Sequence, residues 1–191
     1  MQTYVILLRG INVGGKNKVP MAELKQCLEA LGFSRVSTYI ASGNAIIQSD
    51  KSVADIQVSI EAALPQAFQL DSKLVRVLVL SRKQLQTVID HKPPGFGEQP
   101  TLYHSDAIFL MGVTTDQAMP VFQPREGVDM VWPGEGVIYS QRLSAERTKS
   151  RLGKIIGTPV YQSMTIRSWN TTTKLLNLLK QTDTPAPPPQ E

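Results

Sequence analysis

The chain alternates short apolar runs with segments in which apolar residues recur every three or four positions, a pattern that predicts an ordered series of strands and helices. Thr3–Arg9 (TYVILLR) reads as a buried strand. A glycine-rich stretch follows, and Pro20 stands where a first helical residue belongs. Met21, Leu24, Cys27, Leu28 and Leu31 recur at helical spacing, and Gly32 closes that helix. Val36–Ile40 is a second strand, Ser42-Gly43-Asn44 a turn, and Ala45–Gln48 a third strand. Val53, Ile56, Ile60, Ala63 and Leu64 mark a second helix, whose end Pro65 is expected to perturb. Leu74–Leu80 (LVRVLVL) is a fourth strand.

The order is β-α-β-β-α-β, the ferredoxin-like unit, complete within residues 1–80. Residues 81–104 are read as a link: a helix carrying Leu85, Val88 and Ile89, then the proline- and glycine-rich boundary loop "HKPPGFGEQP". Residues 105–181 repeat the order. Ala107–Met111, Val128–Trp132, Val137–Gln141 and Met164–Arg167 are the strands. A short helix over Gln117–Phe122 is interrupted by Pro120, and a longer one is predicted over Arg147–Ile156. A final helix carries Leu175, Leu176, Leu178 and Leu179, with Asn170 expected as its cap. The tail over residues 182–191 has the composition of disorder. The expected fold class is α+β: tandem ferredoxin-like units with antiparallel sheets, plus a C-terminal helix.

Composition narrows the setting. Of 191 residues 41% are hydrophobic, enough for a core, and the net charge is +4. That mild basicity suits an anionic partner without requiring nucleic acid. One cysteine, Cys27, excludes an internal disulfide and a multi-thiolate metal site. The apolar run Tyr4–Leu8 is too short for a signal peptide, and no stretch is long enough to span a membrane. A cytoplasmic protein without membrane association is the expectation; oligomeric state is not readable.

The candidate chemistry begins at "GINVGGKN", which follows the phosphate-binding pattern G-x-x-x-x-G-K-[ST] until its last residue. Asn17 cannot hold magnesium as Ser or Thr would, and three residues separate Lys16 from Pro20. The consecutive strands two and three also depart from the parallel sheet of a nucleotide-hydrolysing fold. Instead, Gly10, Gly14 and Gly15 permit a concavity of backbone N–H groups, and Arg9, Lys16 and Lys18 surround it with no acid from Leu8 to Ala22. The plain alternative is a connection that needs glycine for shape and carries solvated lysines. Topology puts this loop and the Ser42–Asn44 turn at one sheet edge, so Asn12, Asn17, Ser42, Gly43 and Asn44 join the cluster.

At these residues the chain resembles a known family. "LLRGINVGGKNKVPMAEL", "YIASGNAI" and "TIRSWNTTTKLL" are similar to motifs of the bacterial family catalogued as domain of unknown function 1697. The resemblance implies a cytosolic protein of two ferredoxin-like halves and assigns no catalytic residue. It carries over Arg9, Gly10, Asn12, Gly14, Gly15, Lys16, Ser42, Gly43, Asn44, Arg167, Trp169, Asn170 and Thr171 as motif positions. The family's third motif reads closer to R-N-W-N-T; here Ser168 stands where asparagine is common.

Other constellations are weaker. Arg167, Trp169, Asn170 and Thr171 precede or open the last helix, whose first N–H groups could receive an anion; an ordinary capped helix is the alternative. Arg142, Arg147, Lys149, Arg151 and Lys154 could follow phosphates or form a solvated face. His91 and His104 lack ligand spacing, so no metal or cofactor is expected, and Cys27 reads as a core residue. Tyr4, Phe109 and Tyr139 make only a faint aromatic platform for RNA. The reading is a binding module for a phosphate-bearing small molecule or other anion, with catalytic residues unknown. The alternatives are a nucleic-acid-binding protein or an enzyme acting on an anionic substrate.

Overall fold

The computed structural model describes residues 1–70 and 75–183. Leu74, expected to open the fourth strand, and residues 184–191 of the expected disordered tail lie outside the described residues. The described elements are β1 (Gln2–Arg9), α1 (Met21–Ala30), β2 (Ser34–Tyr39), β3 (Asn44–Ser49), α2 (Val53–Ala67), β4 (Arg76–Ser81) and α3 (Arg82–Asp90). They continue with β5 (Tyr103–Leu110), α4 (Thr115–Ala118), β6 (Asp129–Pro133), β7 (Val137–Leu143), β8 (Met164–Ser168) and α5 (Trp169–Asp183). The strands form two four-stranded antiparallel sheets, ordered β2-β3-β1-β4 and β6-β7-β5-β8. The two orders are the same once the second set of strands is renumbered from one, so both halves have the ferredoxin-like topology.

The chain divides into two compact units: Met1–Leu85 together with the chain from Leu175 (unit 1), and Gln86–Lys174 (unit 2). The last helix, assigned by pattern to the second half, is therefore shared between them.

In unit 1, strand alternation sends Tyr4, Ile6 and Leu8 to the face covered by α1 and α2, where they pack with Leu24, Leu28, Ile56, Ile60 and Leu64. Val5, Leu7 and Ile46 on the other face are buried as completely. Helix α1 ends as its sequence predicts. Gly32 (φ +85°) donates to Glu29 O and Phe33 N to Leu28 O, the paired bonds of a Schellman ending, and Phe33 and Leu28 share the core. Helix α2 runs through Pro65 and ends two residues later, at Ala67, with the proline in its last turn. Few helical bonds are therefore lost.

Unit 2 keeps the strands and changes the crossovers. The first is a four-residue helix, α4, opened by a full capping box at Thr114 and Gln117 and continued by a 3-10 turn at Met119–Val121. The helix expected over Arg147–Ile156 is instead a series of 3-10 turns, Arg147–Lys149, Leu152–Gly157 and Pro159–Ser163. Buried Asp129 explains why they hold: one carboxylate oxygen, Oδ2, accepts from Arg125 N at 3.0 Å and Arg151 N at 2.8 Å. Desolvation acts to raise its pKa. Hydrogen bonding from Ser150 and the Arg151 and Arg125 amides, with the Arg142 charge, outweighs that and holds the carboxyl below its ordinary value.

The boundary loop is an anchor. Phe96 is fully buried and meets Tyr139, Trp169 and Trp132 edge to face, with centroids 5.2, 5.0 and 6.0 Å away. Tyr139 donates its hydroxyl to Val88 O at 2.6 Å, and burial pushes its pKa up to about 12.

Candidate functional site

The Gly10–Lys18 loop is a small closed structure, built by its own polar side chains. Val13 and Lys16 form an isolated antiparallel bridge, with Lys16 N donating to Val13 O at 3.0 Å. Gly14 and Gly15 between them have φ of +59° and +76°. Positive φ at both central residues is what a type I′ turn requires, and glycine supplies it without strain. A Cβ at either position would meet open space, so the constraint there is conformational.

Below this tip, two asparagines hold the loop shut. Asn17 is buried and donates from its amide to Gly10 O at 2.8 Å, while Asn12 N donates to Asn17 O at 3.0 Å. Asn12 receives Val19 N on its side-chain oxygen at 2.8 Å and donates its amide to Val19 O and Ala41 O at 2.9 and 2.8 Å. The last bond ties the loop to the chain before the Ser42–Asn44 turn. Leu8 N donates to Gly43 O at 2.8 Å, and β1 pairs with β3 as far as Leu7 opposite Asn44. The two connections therefore meet at one sheet edge. Asn44 is fully buried and donates to Tyr39 O and the Ser42 hydroxyl. Gly43 (φ +81°) has Ile11 and Leu8 where a Cβ would sit, at 2.8 and 2.9 Å.

The polar motif residues are thus committed to building the edge. What faces solvent is the Gly14–Gly15 backbone with Val13, Lys16 and Lys18, all exposed. Beside them a shallow cavity of about 380 Å³ is lined by Gly15, Asn17, Lys18, Pro20, Glu23, Ala67, Phe68 and Gln69. Arg9, half-buried at the end of β1, stands directly opposite Arg76 at the start of β4. Like charges opposed across strands are unfavourable by themselves, and they concentrate positive charge at the loop end of the sheet. Sequence reasoning missed Arg76; the signal was a lone arginine inside "LVRVLVL", placed opposite Arg9 once β4 pairs with β1.

Arg167, Trp169, Asn170 and Thr171 belong to unit 2, and their environment there is structural. Arg167 is buried and donates to Thr165 Oγ1 and Ile166 O, both at 2.9 Å; burial lowers its pKa to about 10. Ser168 takes the capping role expected of Asn170: its hydroxyl accepts from Thr171 N at 3.2 Å and pairs with the Thr171 hydroxyl at 2.9 Å. Asparagine and serine cap helices comparably, which accounts for serine at this motif position. Trp169 is buried against Phe96 rather than presented to a ligand.

The nucleic-acid features fare less well. Tyr4, Phe109 and Tyr139 are buried, so none offers a base-stacking face. The basic run of residues 142–154 is broken among short turns, with Lys149 paired to Glu146 at 2.6 Å. Cys27 is half-buried at the edge of the first core, and burial raises its pKa. Among the described residues no group of three or more metal-ligating side chains occurs, and no helix is long and apolar enough to cross a membrane.

The chain is similar to the conserved bacterial protein SP0830 from Streptococcus pneumoniae, at 29% identity and a TM-score of 0.78, over 93% of this chain and 98% of that one. No curated protein matches it. The model of a family described as "Protein of unknown function (DUF1697)" matches residues 1–139, a span that holds the glycine loop and the Ser42–Asn44 turn and stops short of the Arg167–Thr171 motif. The chain belongs to this family of proteins of unknown function, DUF1697.

Proposed function

We propose that the protein is a cytoplasmic binding module for a phosphate-bearing small molecule, or another compact anion, held at the tip of the Gly10–Lys18 loop beside the Ser42–Asn44 turn. The observation that carries this reading is the division of roles within the loop. Asn12, Asn17 and Asn44 spend their amides on the protein itself, while the exposed tip offers the Gly14 and Gly15 backbone with Lys16 and Lys18 beside it. Consecutive N–H groups in a positive-φ turn are suited to an anion, and the lysines add charge without fixing its shape. Pre-organisation supports the same reading. Gly10, Asn12, Gly14, Gly15, Asn17, Ile40 and Gly43 all have positive φ around this edge, so a bound anion would have little backbone left to order.

Calorimetric titration with inorganic phosphate, pyrophosphate and a panel of nucleotides and phosphosugars tests the proposal. Saturable binding is expected, weakened about tenfold by Lys16→Ala, the loss of one charge-assisted contact. Gly15→Val should abolish it, because valine is excluded from the turn conformation. Absence of binding across the panel, or equal binding by the doubly substituted loop, would remove the reading. Binding of nucleic acid alone, falling steeply with salt, would transfer it to the nucleic-acid class.

A further inference from the structure

The shallow cavity of about 380 Å³ beside the loop tip lies wholly within unit 1, and three segments meet at it. Gly15 and Lys18 come from the glycine loop, Pro20 and Glu23 from the start of α1, and Ala67 and Phe68 from the end of α2. Pro20 and Glu23 are three positions apart, so both lie on one face of α1, and both line the cavity. Asn17 lines it as well, with its amide donated to Gly10 O.

The walls of this cavity differ in sign. On the loop side Lys18 carries a full positive charge, Lys16 beside Gly15 carries another, and no acid occurs from Leu8 to Ala22. On the helix side Glu23 carries a carboxylate. The start of α1 has no side-chain cap, but the half charge of a helix end offsets only part of that carboxylate. The end of α2 adds a second negative element. This helix has 15 residues and no basic residue in its last turn. The last carbonyls of a helix lack donors within it; of those here, Leu64 O receives Phe68 N. Among the described residues no ion pair joins Lys18 to Glu23. A purely anionic body in the cavity would meet Glu23 and the α2 terminus, and a bare cation would meet Lys18. A ligand with both charges, one at each end, matches both walls.

We infer that the ligand is a phosphate monoester whose organic part carries an ammonium group, with the phosphate at Gly15 and Lys18 and the ammonium at Glu23 and the end of α2. This inference rests on anion binding at the loop tip and adds the chemical class of the ligand. Pro20, Ala67 and Phe68 give the same walls an apolar part, which suits the carbon chain between the two charges.

Calorimetry on the full chain tests it with ethyl, butyl and hexyl phosphate, their ω-amino counterparts, and inorganic phosphate. For at least one chain length the amino ester should bind about tenfold tighter than the alkyl ester of the same length, the contribution of one charge-assisted contact. Glu23→Gln, at an exposed position, should remove that advantage and leave the alkyl esters and phosphate bound as before. Lys18→Ala should weaken both ester series alike. Glu23 also stands in the first turn of α1, where a carboxylate with a structural role alone would alter the melting temperature and not the preference for an amine. Binding of phosphate with no advantage for any amino ester, or an advantage that survives Glu23→Gln, would overturn the inference and leave the anion site standing. Failure of phosphate and of every ester to bind would remove both.

Discussion

The two units place their strands in the same order and cover them in different ways. Unit 1 returns the chain over its sheet with helices of 10 and 15 residues, whose apolar stripes fill one core. Unit 2 uses a four-residue helix and several 3-10 turns, and recovers order from particular contacts: the Asp129 carboxylate on two backbone amides, and the Phe96 ring among three aromatic neighbours. The difference teaches that strand pairing defines this topology, while the crossovers need only bury what the sheet exposes. A helix does so through a repeated pattern, so it tolerates change at single positions. Irregular turns do so through a few non-repeating contacts, each of which matters more.

The largest expected effect therefore lies in unit 2. Phe96→Ala should cost about 3–5 kcal/mol, the usual range for an aromatic truncated in a core. Both tryptophans, Trp132 and Trp169, lie in this unit, so fluorescence-monitored denaturation reads it directly. A change below about 1 kcal/mol would break the contrast, by showing that the loop is not an anchor.

Next comes a test within unit 1. Gly43→Ala must combine a positive φ with close approach to Ile11 and Leu8, at an expected cost of about 2–3 kcal/mol. Gly14→Ala, with the same sign of φ and open space around it, should cost only about 1–2 kcal/mol. Thermal melts of the pair separate conformational strain from crowding, and equal losses would show that the Gly43 contacts do not matter.

A smaller, pH-dependent effect belongs to Asp129. Its folded pKa lies below the unfolded value, so the ionised carboxylate contributes stability above the ordinary carboxylate pKa of about 3.9, lost as pH falls through the lower folded value. Unit 2 of the wild type should exceed Asp129→Asn in stability near neutral pH, with the gap closing through the acid range. A gap independent of pH would assign the effect to packing.

Much of this was legible in the sequence, for identifiable reasons. Both strand sets, α1 with its Gly32 ending, and the meeting of the glycine loop with the Ser42–Asn44 turn follow from period, punctuation and topology. The 3-10 region was not legible, because Leu152, Ile155 and Ile156 are spaced as a helix would have them and the competing acceptor, Asp129, lies more than twenty positions earlier. Phe96 was hidden among prolines and glycines that ordinarily mark a surface loop. The roles of Asn12, Asn17 and Asn44 were only half visible: their place at the candidate site could be read, but whether an amide faces a ligand or the backbone is decided by partners such as Ala41 O and Gly10 O.

Amide NMR during titration with pyrophosphate tests anion binding at the exposed loop tip most directly. Saturable shifts are expected at the Gly14 and Gly15 N–H groups, with those of Asn12 and Lys16 little changed because each already donates within the loop, to Asn17 O and Val13 O. Unmoved Gly14 and Gly15 resonances, or shifts that grow linearly with added salt and never saturate, would contradict it.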